Sequence, residues 1–205
     1  MRINSQYFYN IFVRSIADYH IFDDIDRLLN NPYPEGGIDN VAYRKNWIDT
    51  VQWHLEDMVR DPDIDCRYAL SIKRRIDDLN QKRTDAVELI DDYFQNKYGN
   101  IVHERDAKHN TESLGWAIDR LSILSLKEFH LHVELRRSDA PAHHINNCLN
   151  REKILTSQKN DLLQSINWLI EDIQFGKKEN KVYRQLKMYN DQSFNPVLYN
   201  KQKQR

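Results

Sequence analysis

The side chains best placed to do chemistry in this chain are charged residues set among apolar ones. Asp119 and Arg120 stand in the middle of a segment that is apolar on every side, through Leu114, Trp116, Ala117, Ile118, Leu121, Ile123, Leu124 and Leu126. An ion buried without a partner costs several kcal/mol, so both are expected to reach opposite charges or polar groups on other elements. Adjacent helical residues point about 100° apart, so they should reach different neighbours. Lys73, Asp77, Asn80 and Thr84 form a polar line beside Arg83 and are the expected suppliers. His54 shares a stripe with Trp47, Val51 and Met58, and Asp57 borders it. The expected inter-helix polar cluster is therefore His54, Asp57, Lys73, Asp77, Asn80, Arg83, Asp119 and Arg120. It acts either as ion pairs that fix helix register or as the lining of a pocket for a small polar ligand.

A second chemistry needs hard oxygen ligands. Glu88 and Asp91 lie one turn apart, and Glu56 or Asp57 from a facing helix can complete a Mg²⁺ or Mn²⁺ site, with Arg83 or Lys73 holding phosphate. That is the pattern of a metal-dependent nucleotide pyrophosphohydrolase of the all-α type, the alternative reading; the Glu-Glu-x-x-Glu run that usually accompanies it is absent. Outside that alternative no cofactor is expected. Among the eight histidines, His130 and His132 lie about 200° apart on a helix and cannot grip one ion from the same face. His143 and His144 fall at a helix start, and His54 with His20 reads as a hydrogen-bonded core pair, so zinc and iron are not expected. No Gly-x-x-x-x-Gly-Lys, Gly-x-Gly-x-x-Gly or Gly-x-Ser-x-Gly segment occurs, which removes phosphate loops and nucleophile elbows. Cys66 and Cys148 make no C-x-x-C pattern and are expected as two buried thiols.

The elements that must position these groups are helices. Nine of the ten glycines and prolines fall in breaks between long periodic segments, which places helices near 4–30, 40–60, 66–97, 112–138 and 141–175, and a short sixth near 180–189. Asp63 or Asp65 can cap the third, Asn110 and Thr111 the fourth, and Pro141 opens the fifth. On the third helix Ala69, Ile72, Ile76, Leu79, Arg83, Ala86, Ile90 and Phe94 form one seam. Cys148, Leu155, Leu162, Ile166, Leu169 and Ile173 give the fifth a matching stripe, so the fifth is expected to partner the third. The fold class is all-α, a single-domain antiparallel bundle over residues 1–205, with 187–205 as a docking tail.

Composition narrows the function classes. Thirty basic and 31 acidic residues nearly cancel, so no global field favours nucleic acid. The last 29 residues hold eight basic side chains against two acidic, interleaved with Tyr183, Tyr189, Phe194 and Tyr199, which reads as a docking tail before an RNA footprint. The first residues are too polar for a signal peptide or membrane span, which gives a cytoplasmic expectation. Long amphipathic helices also make a homodimer plausible.

The stretch from Asn46-Trp-Ile-Asp-Thr-Val-Gln-Trp-His-Leu-Glu-Asp57 through Lys73-Arg-Arg-Ile-Asp77, Asn80, Arg83, Glu88-Leu-Ile-Asp91, Asn110-Thr-Glu-Ser113 and Trp116-Ala-Ile-Asp-Arg-Leu121 resembles an uncharacterised bacterial family found mainly in Bacteroidota. The resemblance extends to Lys187-Met-Tyr-Asn190 and Asn195-Pro-Val-Leu-Tyr199. It is a domain-of-unknown-function family, often encoded near lipopolysaccharide or glycosyltransferase genes, which implies an envelope polysaccharide pathway and assigns no catalytic residue. The leading expectation is a binding protein, taking an unknown protein partner or a small polar ligand.

Overall fold

In a computed structural model of the chain, residues 3–186 and 192–202 are described. Five long helices carry the fold: α1 Ser5–His20, α2 Ile38–Met58, α3 Cys66–Tyr98, α4 Leu114–Leu135 and α5 Ala142–Gln174. A 3-10 turn at Gln192–Phe194 leads into a short α6, Pro196–Gln202. Among the described residues no strand forms; one isolated bridge joins Lys108 to Lys178. The all-α bundle expected from periodicity is the observed architecture.

The helix termini follow local hydrogen bonding. Asp65 resolves the choice of cap for α3, accepting from the amides of Arg67 and Tyr68 at 3.0 and 2.9 Å. The cap of α4 is Ser113, whose hydroxyl accepts from the Trp116 amide, and not Asn110 or Thr111. The first helix stops at His20, ten residues short of the expected end. Beyond it Asp23 takes a left-handed φ of 50°, and the Asp24 carboxylate accepts from the Asp26 amide at 2.9 Å, local bonding that competes with helix. Residues 180–186 carry no helix, and 187–189 of the expected sixth lie outside the described residues. The same holds for 187–191 and 203–205 of the expected docking tail; within it Phe194 and Val197 are exposed.

Cross-helix bonds give the directions. Gln52 bonds Asn80 and Arg83 faces Asp49, so α2 and α3 run antiparallel, as do α4 and α5 through His132 with Glu152 and Lys159 with Glu128. α1 is different. Tyr7 bonds Asp39 near both helix starts, and His20 meets His54 near both ends, so α1 and α2 run parallel. A parallel neighbour needs a return path as long as the helix, about 24 Å for α1, and residues 21–37 supply it.

α4 lies at the centre, touching α1, α2, α3 and α5. Its Leu114, Ile118 and Leu121 join Phe8, Phe12 and Tyr19 of α1, Tyr43 and Leu55 of α2, and Ile90 and Phe94 of α3 in one core. The fifth helix packs chiefly on α4 and α1, not on α3 as expected, because the central α4 stands between them. Its buried stripe is thin, comprising Cys148, Ile166, Ile170 and Ile173. Cys148 is buried, whereas Cys66 is exposed at the first residue of α3, where no neighbour covers that helix end. Gly115 is the one glycine inside a helix, and a Cβ there would lie 2.6 Å from the Val87 carbonyl oxygen and 2.7 Å from the Asp91 carboxylate. Its absence lets α4 close on α3, and its amide donates to Asp91 at 2.6 Å.

Candidate functional site

The side of α2 that faces α4 is polar: Lys45, Asn46, Asp49 and Thr50 are all buried. Helical spacing aligns them with Asp119, Ser122 and Ser125, the buried polar stripe of α4. The Lys45 ammonium, fully enclosed, contacts Asp49 Oδ2 at 2.5 Å and Asp119 Oδ1 at 2.7 Å. Arg83 closes the set from α3: its Nε and Nη2 donate to Asp119 at 2.8 and 2.5 Å, and Nε lies 3.5 Å from Asp49 Oδ1. Ser122 donates to Asp49 Oδ2 at 2.6 Å and accepts from the Asn46 amide at 2.9 Å.

Two cations and two carboxylates make this quartet neutral, which is what allows it to be buried. Burial alone raises the Asp119 carboxyl, but Lys45 and Arg83 outweigh it and hold that group below the usual range. Asp49 is the reverse: complete burial, helped by the Asp119 charge, keeps its carboxyl above the usual range despite Lys45 and Arg83. Burial opposes the Arg83 charge as well, yet its bonds to Asp119 leave the guanidinium a weaker acid than normal.

On the solvent side of the quartet lies a cavity of about 200 Å³ lined by Asp49, Gln52, Trp53, Glu56, Asp57, Arg60, Arg83 and Ile123. Arg83 spans core and cavity, its side chain 27% exposed. Two of the lining residues carry a buried acceptor without a hydrogen bond, Asp49 Oδ1, which faces Arg83 in the ion pair, and Gln52 Oε1.

The structure brings together only part of the expected cluster. Asp119 and Arg83 meet, and Asp57 borders the same cavity. Arg120 is expected inward; it is 65% exposed and pairs with Glu112, because it falls on the one stripe of α4, through Trp116, Ile123 and Lys127, that no helix covers fully. Lys73 and Asp77 pair with each other on the surface, so they do not supply the buried charges. Asn80 accepts from Gln52 at 3.0 Å. His54 belongs to a separate group with His20 and His130. Lys45 and Asp49, the heart of the quartet, were missed.

The four carboxylates of the magnesium reading are apart. Glu56 and Asp57 pair with Arg60, Glu88 pairs with Arg184, and Asp91 is buried under Ser113 and Gly115. With Asp49 opposite Arg83, the α2/α3 register puts Glu56 and Glu88 roughly 18 Å apart along the axis. Burial raises the Asp91 carboxyl even though Ser113 and Gly115 donate to it.

A Cys148, His144 and Glu134 row lies on the α4/α5 side, but it is no relay. His144 uses the same Nε2 toward Cys148 Sγ at 3.4 Å and Glu134 at 2.9 Å, whereas a relay needs both ring nitrogens.

Among the described residues no helix is long and apolar enough to cross a membrane. Residues 39–182 match the sequence model of a family described as a protein of unknown function, DUF4254. No curated protein and no solved structure matches the chain.

Proposed function

The chain belongs to the DUF4254 family, and from that membership and the cavity chemistry we propose that it is a non-catalytic binding protein for a small polar ligand. The ligand occupies the cavity beside Arg83 and donates hydrogen bonds. The observation that carries this reading is the Gln52 Oε1 acceptor, buried and without a hydrogen bond, on a residue that lines that cavity beside Arg83. Leaving such an acceptor unmade costs about 1–3 kcal/mol, which a donor-bearing ligand recovers. Trp53 and Ile123 add an apolar wall for one face of a ring.

Size restricts the class. The 200 Å³ space holds about seven waters' worth of volume, below the usual range of roughly 300–1,000 Å³ for ligand pockets. A polyol or a single amino-sugar ring is therefore favoured over a nucleotide. An envelope polysaccharide pathway, which the sequence resemblance implies, makes amino sugars the first class to try.

Isothermal titration of the full chain with a panel of monosaccharides, amino sugars and polyols tests the proposal. At least one should bind, and Gln52→Leu, which removes an unpaired acceptor, should weaken it. If no member binds, or the variant binds equally well, the cavity is not the site.

A further inference from the structure

Three histidines that are distant in sequence meet at one end of the bundle. His20 is the last residue of α1, His54 is on α2 and His130 is on α4. Their ring centroids form a nearly equilateral triangle with sides of 5.3, 5.4 and 5.5 Å. One ring nitrogen from each lies within 4.8 Å of the others. We propose that His20, His54 and His130 bind a divalent transition metal of the zinc class, the three imidazoles supplying the protein ligands.

Several observations point to a ligand rather than to packing alone. His20 Nδ1 donates to the Ile16 carbonyl at 2.7 Å, which fixes its tautomer and leaves Nε2 as an acceptor facing the cluster, where it shares a hydrogen bond with His54 in the absence of an ion. That Nε2 stands 3.2 Å from His54 Nε2. Imidazoles on tetrahedral zinc are about 3.3 Å apart, from bonds of 2.0–2.1 Å, so this edge already has the required length. His130 Nε2 is buried and has no hydrogen-bond partner, an unmade bond of the kind a metal completes. Asp23 Oδ1 lies 3.4 Å from His54 Nε2, carried by the left-handed turn that ends α1. A dication thus meets three bases, with the Asp23 carboxylate alongside His54 as a nearby negative charge.

The rings are also held in place. Phe129 packs on His20 at 4.1 Å, Tyr19 stacks on His54 at 5.3 Å, and Trp53 stacks on His130 at 4.7 Å with planes 4° apart. Burial, reinforced by the neighbouring rings, pushes the His130 imidazolium down to about 4, and burial likewise lowers His20. Sequence spacing hid the site because the nearest histidine to His130 in the chain, His132, is on another face of α4.

The test uses the full chain stripped with a chelator and titrated with Zn²⁺ by calorimetry and with Co²⁺ by visible absorption. One ion per chain should bind, and Co²⁺ should give the intense bands of a tetrahedral site. His20→Gln, His54→Gln and His130→Gln should each weaken binding by roughly tenfold or more, comparable to losing support of a ligand. His132→Gln and His144→Gln should leave it unchanged. Should a histidine variant fail to fold, Asp23→Ala, whose side chain is largely exposed, keeps the question open to measurement: removing that charge beside His54 should weaken Co²⁺ binding while the tetrahedral bands persist. Weak octahedral cobalt spectra, or metal binding that survives His130→Gln and disappears with His144→Gln, would overturn the assignment.

Discussion

Replacing Lys45 with methionine tests whether the buried quartet is held by charge balance. The ammonium is fully enclosed and touches both carboxylates, at 2.5 and 2.7 Å. At an effective dielectric of about 20, each contact is worth roughly 6 kcal/mol before desolvation is subtracted. Removing one partner of such a buried set leaves an uncompensated charge and costs about 3–5 kcal/mol net. Lys45→Met keeps the aliphatic volume and leaves Arg83 alone against Asp49 and Asp119, a net charge of minus one. Urea unfolding should then show the midpoint falling by about 1–2 M. The loss should shrink on acidification. Asp49 already has a raised carboxyl through burial, and without Lys45 it rises further. Its ionised form is penalised above the unfolded value of about 3.9, and the penalty fades as pH falls through the folded value. Lys45→Met combined with Asp49→Asn restores balance, one cation against one anion, and should recover at least half the loss. A single variant costing under about 1 kcal/mol, or a double variant no better than the single, would refute the charge-balance reasoning.

Gly115→Ala should destabilise by about 1–3 kcal/mol in urea unfolding, since its Cβ meets backbone oxygen and the Asp91 carboxylate; an unchanged midpoint would mean α3 and α4 can separate freely. Arg120→Ala should leave the melting temperature within experimental scatter, because that side chain pairs only at the surface with Glu112; a fall comparable to Lys45→Met would place it in the core. His130 is neutral in the fold with its value near 4, while the unfolded chain takes up the proton near 6.5. The unfolded state therefore binds more protons in that window, and stability should fall from pH 6.5 to 4 by about 1–2 kcal/mol after solvent screening. In chelator, His130→Gln should flatten that slope; an equal slope in both proteins assigns it to other groups.

Apolar periodicity made the helices legible, and so the α3 seam through Ile72, Ile76, Ile90 and Phe94 is buried as its spacing requires. The enclosure of α4 was legible for the same reason. The heart of the quartet was not, because Lys45, Asn46, Asp49 and Thr50 look like a solvated helix face when hydrophobicity is the only guide. Their complement was visible: Asp119, Ser122 and Ser125 repeat every three residues on a helix otherwise apolar all round, which requires a polar partner surface. Arg120 shows the limit of the same logic, since an apolar average over α4 does not report which face is left uncovered. The histidine site depends on α1 running parallel to α2. Nothing local in the sequence encodes that direction.

That parallel arrangement has a consequence for how the chain comes apart. α1 has no antiparallel hairpin partner next to it in sequence, so burial of Phe8, Phe12, Ile16 and Tyr19, with side-chain bonds such as Tyr7 to Asp39 and Tyr9 to Glu128, retains it at the end of a tether spanning residues 21–37. Detaching α1 leaves the antiparallel α2–α3 and α4–α5 pairs intact, so its loss can be local. Backbone amides in α1 should accordingly exchange with deuterium through a partial opening that leaves α3 and α4 protected. Each such excursion withdraws His20 from the other two imidazoles.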